Sequence, residues 1–295
     1  MIAELAGVLL PVFAIAALGL GWQKSGVPFE REFITRLVLN VAGPCLVIDS
    51  LSNLDLPLAV VGRMAAGGIS MFVATVGTSF LILKLARLPI RNFLPALAVG
   101  NMGNLGLSVC FFAFGQEGLG LAAAVFVSNS IGQFTLTPIL QSGRSPWRTL
   151  LTTPVIYGAL IGTALLLGDW ALPSWIADTV GLLGALMIPL MLLALGHTLG
   201  GLRVKRLPFA SFWGLVRLAM GLGIGIGIAE LLGLEGVARG VLILQGAMPS
   251  AMFSYLFAAR YGRAPDDVAG IVLLSTAFSV LTLPFVVAYV LSGAS

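Results

Sequence analysis

Charge is what this sequence lacks most. Lys, Arg, Asp and Glu together make up 9% of 295 residues, and there is a single histidine. A soluble globular surface needs far more, so an ordinary soluble protein is excluded. Cysteine is nearly absent as well: Cys45 and Cys110 both fall inside apolar segments, where they read as small packing residues and not as a disulfide framework or a metal site. His-Glu-x-x-His, Cys-x-x-Cys and Asp-rich motifs are all missing, so no acid, base or metal cluster of an enzyme is visible. No metal or other cofactor is expected, and an integral membrane enzyme or sensor is left as a minor alternative.

What fills the chain is apolar. Hydrophobic residues make up 58% of it, with a mean hydropathy of +1.04. This is the composition of an all-α polytopic membrane protein. At about 20 residues per span plus short turns, the length allows roughly ten helices and no separate soluble domain. Hydropathy and turn residues place them at about Ile2 to Trp22, Phe33 to Leu51, Pro57 to Leu83, Phe93 to Phe114, and a fifth ending at Pro138. The other five run at about Thr153 to Leu167, Trp175 to Leu199, Phe209 to Leu232, Val237 to Ala259, and a last one ending near Leu291. The first segment has no basic leader and runs for a full span, so it reads as the first helix and not as a signal peptide.

The few basic residues are unevenly placed. Lys24, Arg31, Arg36, Lys84, Arg87, Arg91, Arg144, Arg148, Arg203, Lys205, Arg206, Arg260 and Arg263 fall at odd-numbered connections, against only Arg63 and Arg239 at even ones. By the positive-inside rule the odd loops are cytoplasmic and both termini lie outside the cytoplasm. The net charge of +4 is therefore a topology signal in a cell-membrane protein, and no nucleic-acid partner is expected.

The two halves also match. Phe114-Gly115 precedes a helix ending in Thr135-Leu136-Thr137-Pro138, and Tyr261-Gly262 precedes one ending in Leu281-Thr282-Leu283-Pro284, at nearly equal spacing. Ser128 and Ser275 hold similar places, and Pro44 in the second span pairs with Pro189 in the seventh. Five helices per half is an odd number, so the second half enters the membrane inverted. The expected organisation is a first repeat over 1–140, a cytoplasmic connector over 141–152 and a second repeat over 153–295.

Both halves break their fourth helix. Gly100-Asn101-Met102-Gly103-Asn104-Leu105-Gly106-Leu107-Ser108 interrupts one apolar segment, and Gly246-Ala247-Met248-Pro249-Ser250 interrupts the other. Glycine costs about 1 kcal/mol relative to alanine in a helix interior, and an unpartnered amide in hydrocarbon costs about 2–7 kcal/mol. Such a stretch is tolerated where backbone lines a cavity. Glycines that only permit close helix packing are the plainer reading of each break alone. Together the breaks predict two half-helices beginning at mid-membrane, with Pro249 in the first turn of one. Each brings about half a positive charge and free N–H groups to one point. That favours a carboxylate. Asn101, Gly103, Asn104, Gly106, Ser108, Gly246, Pro249, Ser250 and Ser254 are the expected substrate-binding residues, the serines as hydroxyl donors.

The first motif, followed by Phe114-Gly115, resembles the signature of the auxin efflux carrier family in its short bacterial form. Ala247-Met248-Pro249-Ser250, Ala259-Arg260-Tyr261-Gly262, Leu274-Ser275-Thr276 and the opening Leu10-Pro11-Val12-Phe13 agree with it. The resemblance implies a ten-helix, five-plus-five inverted-repeat carrier, similar in fold to bile-acid sodium symporters. It also implies a scaffold and a moving domain, whose fourth and ninth helices cross at the substrate site. The family usually has proline where this chain has Ser108, and the long cytoplasmic loop of plant auxin carriers is absent, so auxin itself is not indicated.

Several polar residues remain. Asp49 reads equally as an interfacial carboxylate and as a protonatable coupling site. His197 reads as an interfacial hydrogen-bonding residue before a proton relay, and Arg217 as a cation that snorkels to the cytoplasm or pairs with an anion. Asn129, Gln133 and Gln245 are further cavity-lining candidates, and Leu256 reads as lipid-facing. The expected function is secondary transport of a small organic anion, with H+ preferred over Na+ as the coupling ion because few acidic residues lie near the breaks. A sodium symporter of the bile-acid type is the alternative. The lipid bilayer is the remaining partner, and a homodimer is left open.

Overall fold

The computed structural model describes residues 2–53, 57–142, 154–168, 170–202 and 204–293. Most of the expected connector 141–152, with Arg144 and Arg148, lies outside the described residues, as do Asp55, Asp169 and Arg203. The described chain is all-helical, and seven of its helical stretches are long and apolar enough to cross a membrane by length and composition.

In chain order the elements are α1 (Ile2–Ser25), α2 (Arg31–Leu37), a π-helical turn (Val38–Ala42), α3 (Gly43–Ser52), α4 (Leu58–Leu85) and α5 (Ile90–Ala98). A second π-helical turn (Met102–Gly106) leads into α6 (Leu107–Ser142) and α7 (Pro154–Gly168). Then follow α8 (Ser174–Ala185), α9 (Met187–Gly201), α10 (Leu207–Leu231), α11 (Gly236–Gly246), α12 (Met252–Tyr261) and α13 (Pro265–Ser292).

Local chemistry accounts for the distortions. Pro44 has no N–H to offer the preceding turn, and the backbone widens into the π-helical turn just before it. Pro189 does the same to its helix, which breaks at Leu186 between α8 and α9. Gly115 bends α6 with φ 64° and ψ −149°, and Gly262 ends α12 in the left-handed region at φ 63°. Only glycine adopts such angles at no steric cost, so Phe114-Gly115 and Tyr261-Gly262 both mark sharp turns. At the start of α13, Pro265 occupies the first turn with Asp266 and Asp267, which suit the positive end of the helix.

The helices pack in two groups. In one, α1 lies along α9 so closely that a Cβ on Gly19 or Gly196 would run into the backbone of Leu193 or Ala16, while α3 packs between α7 and α8. In the other, α4, α6, α10, α11 and α13 surround the broken segments. Exposed apolar side chains such as Leu18, Leu160, Leu182 and Phe285 lie on the outer faces, as a lipid-facing surface requires.

Candidate functional site

The two breaks meet. Between α5 and the second π-helical turn the backbone is non-helical over residues 99–101, and between α11 and α12 it is non-helical over 247–251. The two segments pair antiparallel at Gly100 and Ser250. The Asn101 N–H donates to the Pro249 carbonyl at 2.7 Å, and the Ala251 N–H donates to the Val99 carbonyl at 2.9 Å. Two helices that abandon their own hydrogen bonds thus satisfy each other's backbone, which is what mid-membrane breaks require.

This corrects the expected role of Pro249. It lies in the paired segment, and α12 begins only at Met252. A residue without an N–H loses nothing in an extended segment where only its carbonyl is used. The first break is also shorter than its glycines suggested. The chain recoils at Met102, and the Asn101 carbonyl accepts the N–H groups of Leu105 and Gly106.

Beside the crossover lies a narrow chamber of about 30 Å³, to which Gly100, Asn101, Gly103 and Asn104 contribute from the first break and Ala251 and Phe253 from the second, with an otherwise apolar wall that includes Val38, Val155, Met187 and Met191. Phe126, Asn129, Ser130 and Gln133 of α6 face it at helical spacing. Asn101, Asn129 and Ser130 are each buried with a polar side-chain atom lacking a partner among the described residues. A cavity of about 660 Å³ adjoins it, sharing Asn104, Met191 and Phe253 and opening toward Phe29, Glu32 and Arg36. The chamber has room for about one or two waters, whereas the adjoining cavity has room for a small organic molecule.

The other expected residues divide. The Ser108 hydroxyl donates back to the Asn104 carbonyl at 2.8 Å and that of Ser254 to the Pro95 carbonyl at 3.0 Å, so both are spent on backbone. Ser250 accepts nothing at its hydroxyl, while its N–H donates to Ser275 Oγ at 3.1 Å. Gly246 packs against the backbone of Gly221 in α10, and Gly106 leaves room for the buried Gln245 amide, so neither Gly106 nor Gln245 lines either cavity. Asp49 sits apart, half-buried near Gly181 and held by the Asn53 amide at 2.9 Å. His197 stacks on Phe29 with ring centroids 4.2 Å apart. Leu256 is not simply lipid-facing, since it lines the larger cavity.

Arg217 overturns its expected place. It does not snorkel: the side chain is fully buried, and Nη1 donates to the Leu97 carbonyl at 3.1 Å. The sequence reading missed Phe126 and Ser130, although their spacing with Asn129 and Gln133 places all four on one helical face.

Residues 136–287 match the family described as "Membrane transport protein". The chain is 28% identical over 291 residues to an uncharacterized transporter of Methanothermobacter thermautotrophicus, covering 94% of this chain and 95% of that one. It is 22% identical over 321 residues to a putative malonate transporter of Rhizobium meliloti, covering 99% and 98%. Against a probable auxin efflux carrier component 1b of Oryza sativa subsp. japonica it is 24% identical over 182 residues, covering 59% of this chain and 31% of that one. The family and these relatives are transporters and not enzymes. The family match spans more than half of the chain, and the chain belongs to the auxin efflux carrier family of membrane transport proteins.

Proposed function

We propose that this transporter moves a small organic anion, a carboxylate, by alternating access around the crossover. The observation that carries the reading is the paired breaks beside a small chamber into which Asn101, Asn104, Asn129 and Gln133 bring amides. The second π-helical turn, which leads into α6, and α12 begin at Met102 and Met252, so two helix N-termini point at the region where Asn101 and Asn104 line the chamber. Each terminus carries about half a positive charge and free N–H groups. An anion in the adjoining cavity, which the Asn104 amide also lines, is held against those dipoles and amides. The Rhizobium relative's name points the same way, because malonate is a dicarboxylate.

The proposed architecture is ten helices in a five-plus-five inverted repeat, 1–140 and 153–295. Three matched pairs support it: prolines 44 and 189 each distort their helix just upstream, glycines 115 and 262 both take positive φ, and each half has one break. The packing is reciprocal too, with the first span on the seventh and the second on the sixth. The basic residues put the odd connections in the cytoplasm and both termini outside. In that orientation the larger cavity, with Glu32 and Arg36 at its mouth, faces the cytoplasm. Proton coupling is preferred, and a homodimer is a compatible assembly.

The test is uptake of labelled malonate and acetate into proteoliposomes, with and without sodium and with an imposed pH gradient. Saturable uptake of a carboxylate that responds to the pH gradient and not to sodium is the expected result. Strict sodium dependence replaces the proton with sodium, and no movement of any carboxylate by folded protein overturns the reading.

A further inference from the structure

We propose that Arg217 is the positioning residue of the crossover: its buried guanidinium is the fixed counter-charge to the carbonyl ends of α5 and α11, and it thereby keeps the cavity beside the crossover selective for anions. The second part rests on the carboxylate reading above.

Four observations carry this. Arg217 is completely buried on α10, and no carboxylate pairs with it among the described residues. A lone buried guanidinium is costly unless something compensates it. Among the described residues its one hydrogen bond goes to the carbonyl of Leu97, in the last turn of α5, and Nε and Nη2 have none. The glycines around it are cut to its shape: a Cβ on Gly100 would strike Nη2, and one on Gly221 would meet both Nη1 at 3.2 Å and the carbonyl of Gly246, the last residue of α11. The guanidinium therefore sits where two half-helices end. Each C-terminus carries about half a negative charge, so two of them offset one cation.

The charges at the crossover are thus sorted by chain direction. The carbonyl ends of α5 and α11 converge on Arg217, while the N–H ends at Met102 and Met252 converge by the amide-lined chamber. Arg217 lines neither cavity, so it is not placed to touch a substrate. Removing its charge leaves the two carbonyl ends uncompensated behind the paired segment. Two consequences follow: the pairing at Gly100 and Ser250 loosens, and the cavity beside the crossover becomes less favourable to anions. Coulomb energy is linear in ligand charge, so the fold-loss for a dianion is about the square of that for a monoanion of the same shape.

The experiment uses purified full-length protein in nanodiscs as wild type, R217K, R217Q and R217M. R217K keeps the charge, and R217Q keeps an amide donor, on a shorter side chain, without the charge. Hydrogen exchange is followed at peptides covering residues 99–101 and 247–251, and binding is titrated with malonate and with malonamate, its monoamide. In R217Q and R217M the crossover peptides are expected to exchange at least about tenfold faster, with α1 peptides unchanged and R217K close to wild type. If malonamate binds about fivefold more weakly in the neutral variants, malonate binds about twenty-five-fold more weakly. R217Q behaving as wild type in exchange overturns the proposal, because the charge then does nothing. Equal losses for the two probes overturn the electrostatic role. If wild type binds neither probe, the carboxylate reading falls, and the exchange pattern alone decides whether Arg217 holds the crossover.

Discussion

The two breaks are paired in space but unlike in chemistry. The first brings side chains: Asn101 and Asn104 both line the chamber, and the backbone recoils within three residues. The second brings mainly backbone. Its Pro249 offers a carbonyl, and the Ser254 hydroxyl just beyond it is turned onto the Pro95 carbonyl. Residues with large side-chain needs sit on one strand, and a conformationally fixed residue sits on the other. On the proposed anion reading, the recognition chemistry belongs to the first break, and the second serves as the rigid edge against which it is held.

The largest expected effect comes from filling the space between them. Gly100→Val puts methyl groups where the Arg217 guanidinium lies and opposite Ser250, and overpacking of that kind costs about 1–3 kcal/mol. Transport should fall to background and the melting temperature should drop. Substitution at Gly77, which has open space around it, is the matched control, and uptake normalised to membrane-inserted protein is the readout. A fully active Gly100→Val protein would break the pairing as a functional device.

Next comes the chemistry. Asn104→Ala removes an amide that lines both the chamber and the larger cavity. A hydrogen bond to a charged ligand is worth about 1.5–3 kcal/mol, so carboxylate affinity should fall by about 10- to 100-fold while the protein stays folded. Gln245→Met is the contrasting change: this amide is buried without partners and lines neither cavity, so affinity should hold within about twofold. Binding titrations on the two variants decide between side-chain recognition at the first break and a role spread over both.

The same contrast explains what could be read from the residues alone. The all-helical membrane fold and both breaks follow from composition and from glycine, asparagine and proline in apolar segments. Asn129 and Gln133 were legible as amides with no reason to face lipid. Pro249's place was not, because a proline fits equally well in a first helical turn and in an extended segment, and only the partner strand selects between them. Arg217 was misread for a related reason. Sequence position puts it about two turns from a basic loop, where snorkelling is the ordinary outcome, and nothing local reports that two helix ends from elsewhere in the chain converge on it. The hydroxyls of Ser108 and Ser254 were equally ambiguous, since serine in an apolar helix bonds to its surroundings or back to a carbonyl.

Rigidity at the second break predicts a smaller effect with a different signature. Pro249→Ala frees φ in the unfolded chain and adds an N–H with no assigned acceptor, changes worth about 0.4–1 kcal/mol from the first source alone. The turnover rate should fall about two- to fivefold with affinity nearly unchanged. Leu281→Ala, at an outward side chain that is 68% exposed, should match wild type. Leu256 is unsuited as that control because it lines the larger cavity.

Ser108→Ala gives the smallest expected change and the sharpest question about the first break. Its hydroxyl donates to the Asn104 carbonyl one turn back at 2.8 Å and so reaches no cavity. Such a back-bond slightly bends a helix without anchoring a ligand. If its only work is local, affinity and uptake should stay within about twofold of wild type. A loss approaching that of Asn104→Ala would mean that the back-bond holds the π-helical turn that presents the Asn104 amide. The chemistry of the first break would then rest on its own helical start as much as on the strand it pairs with.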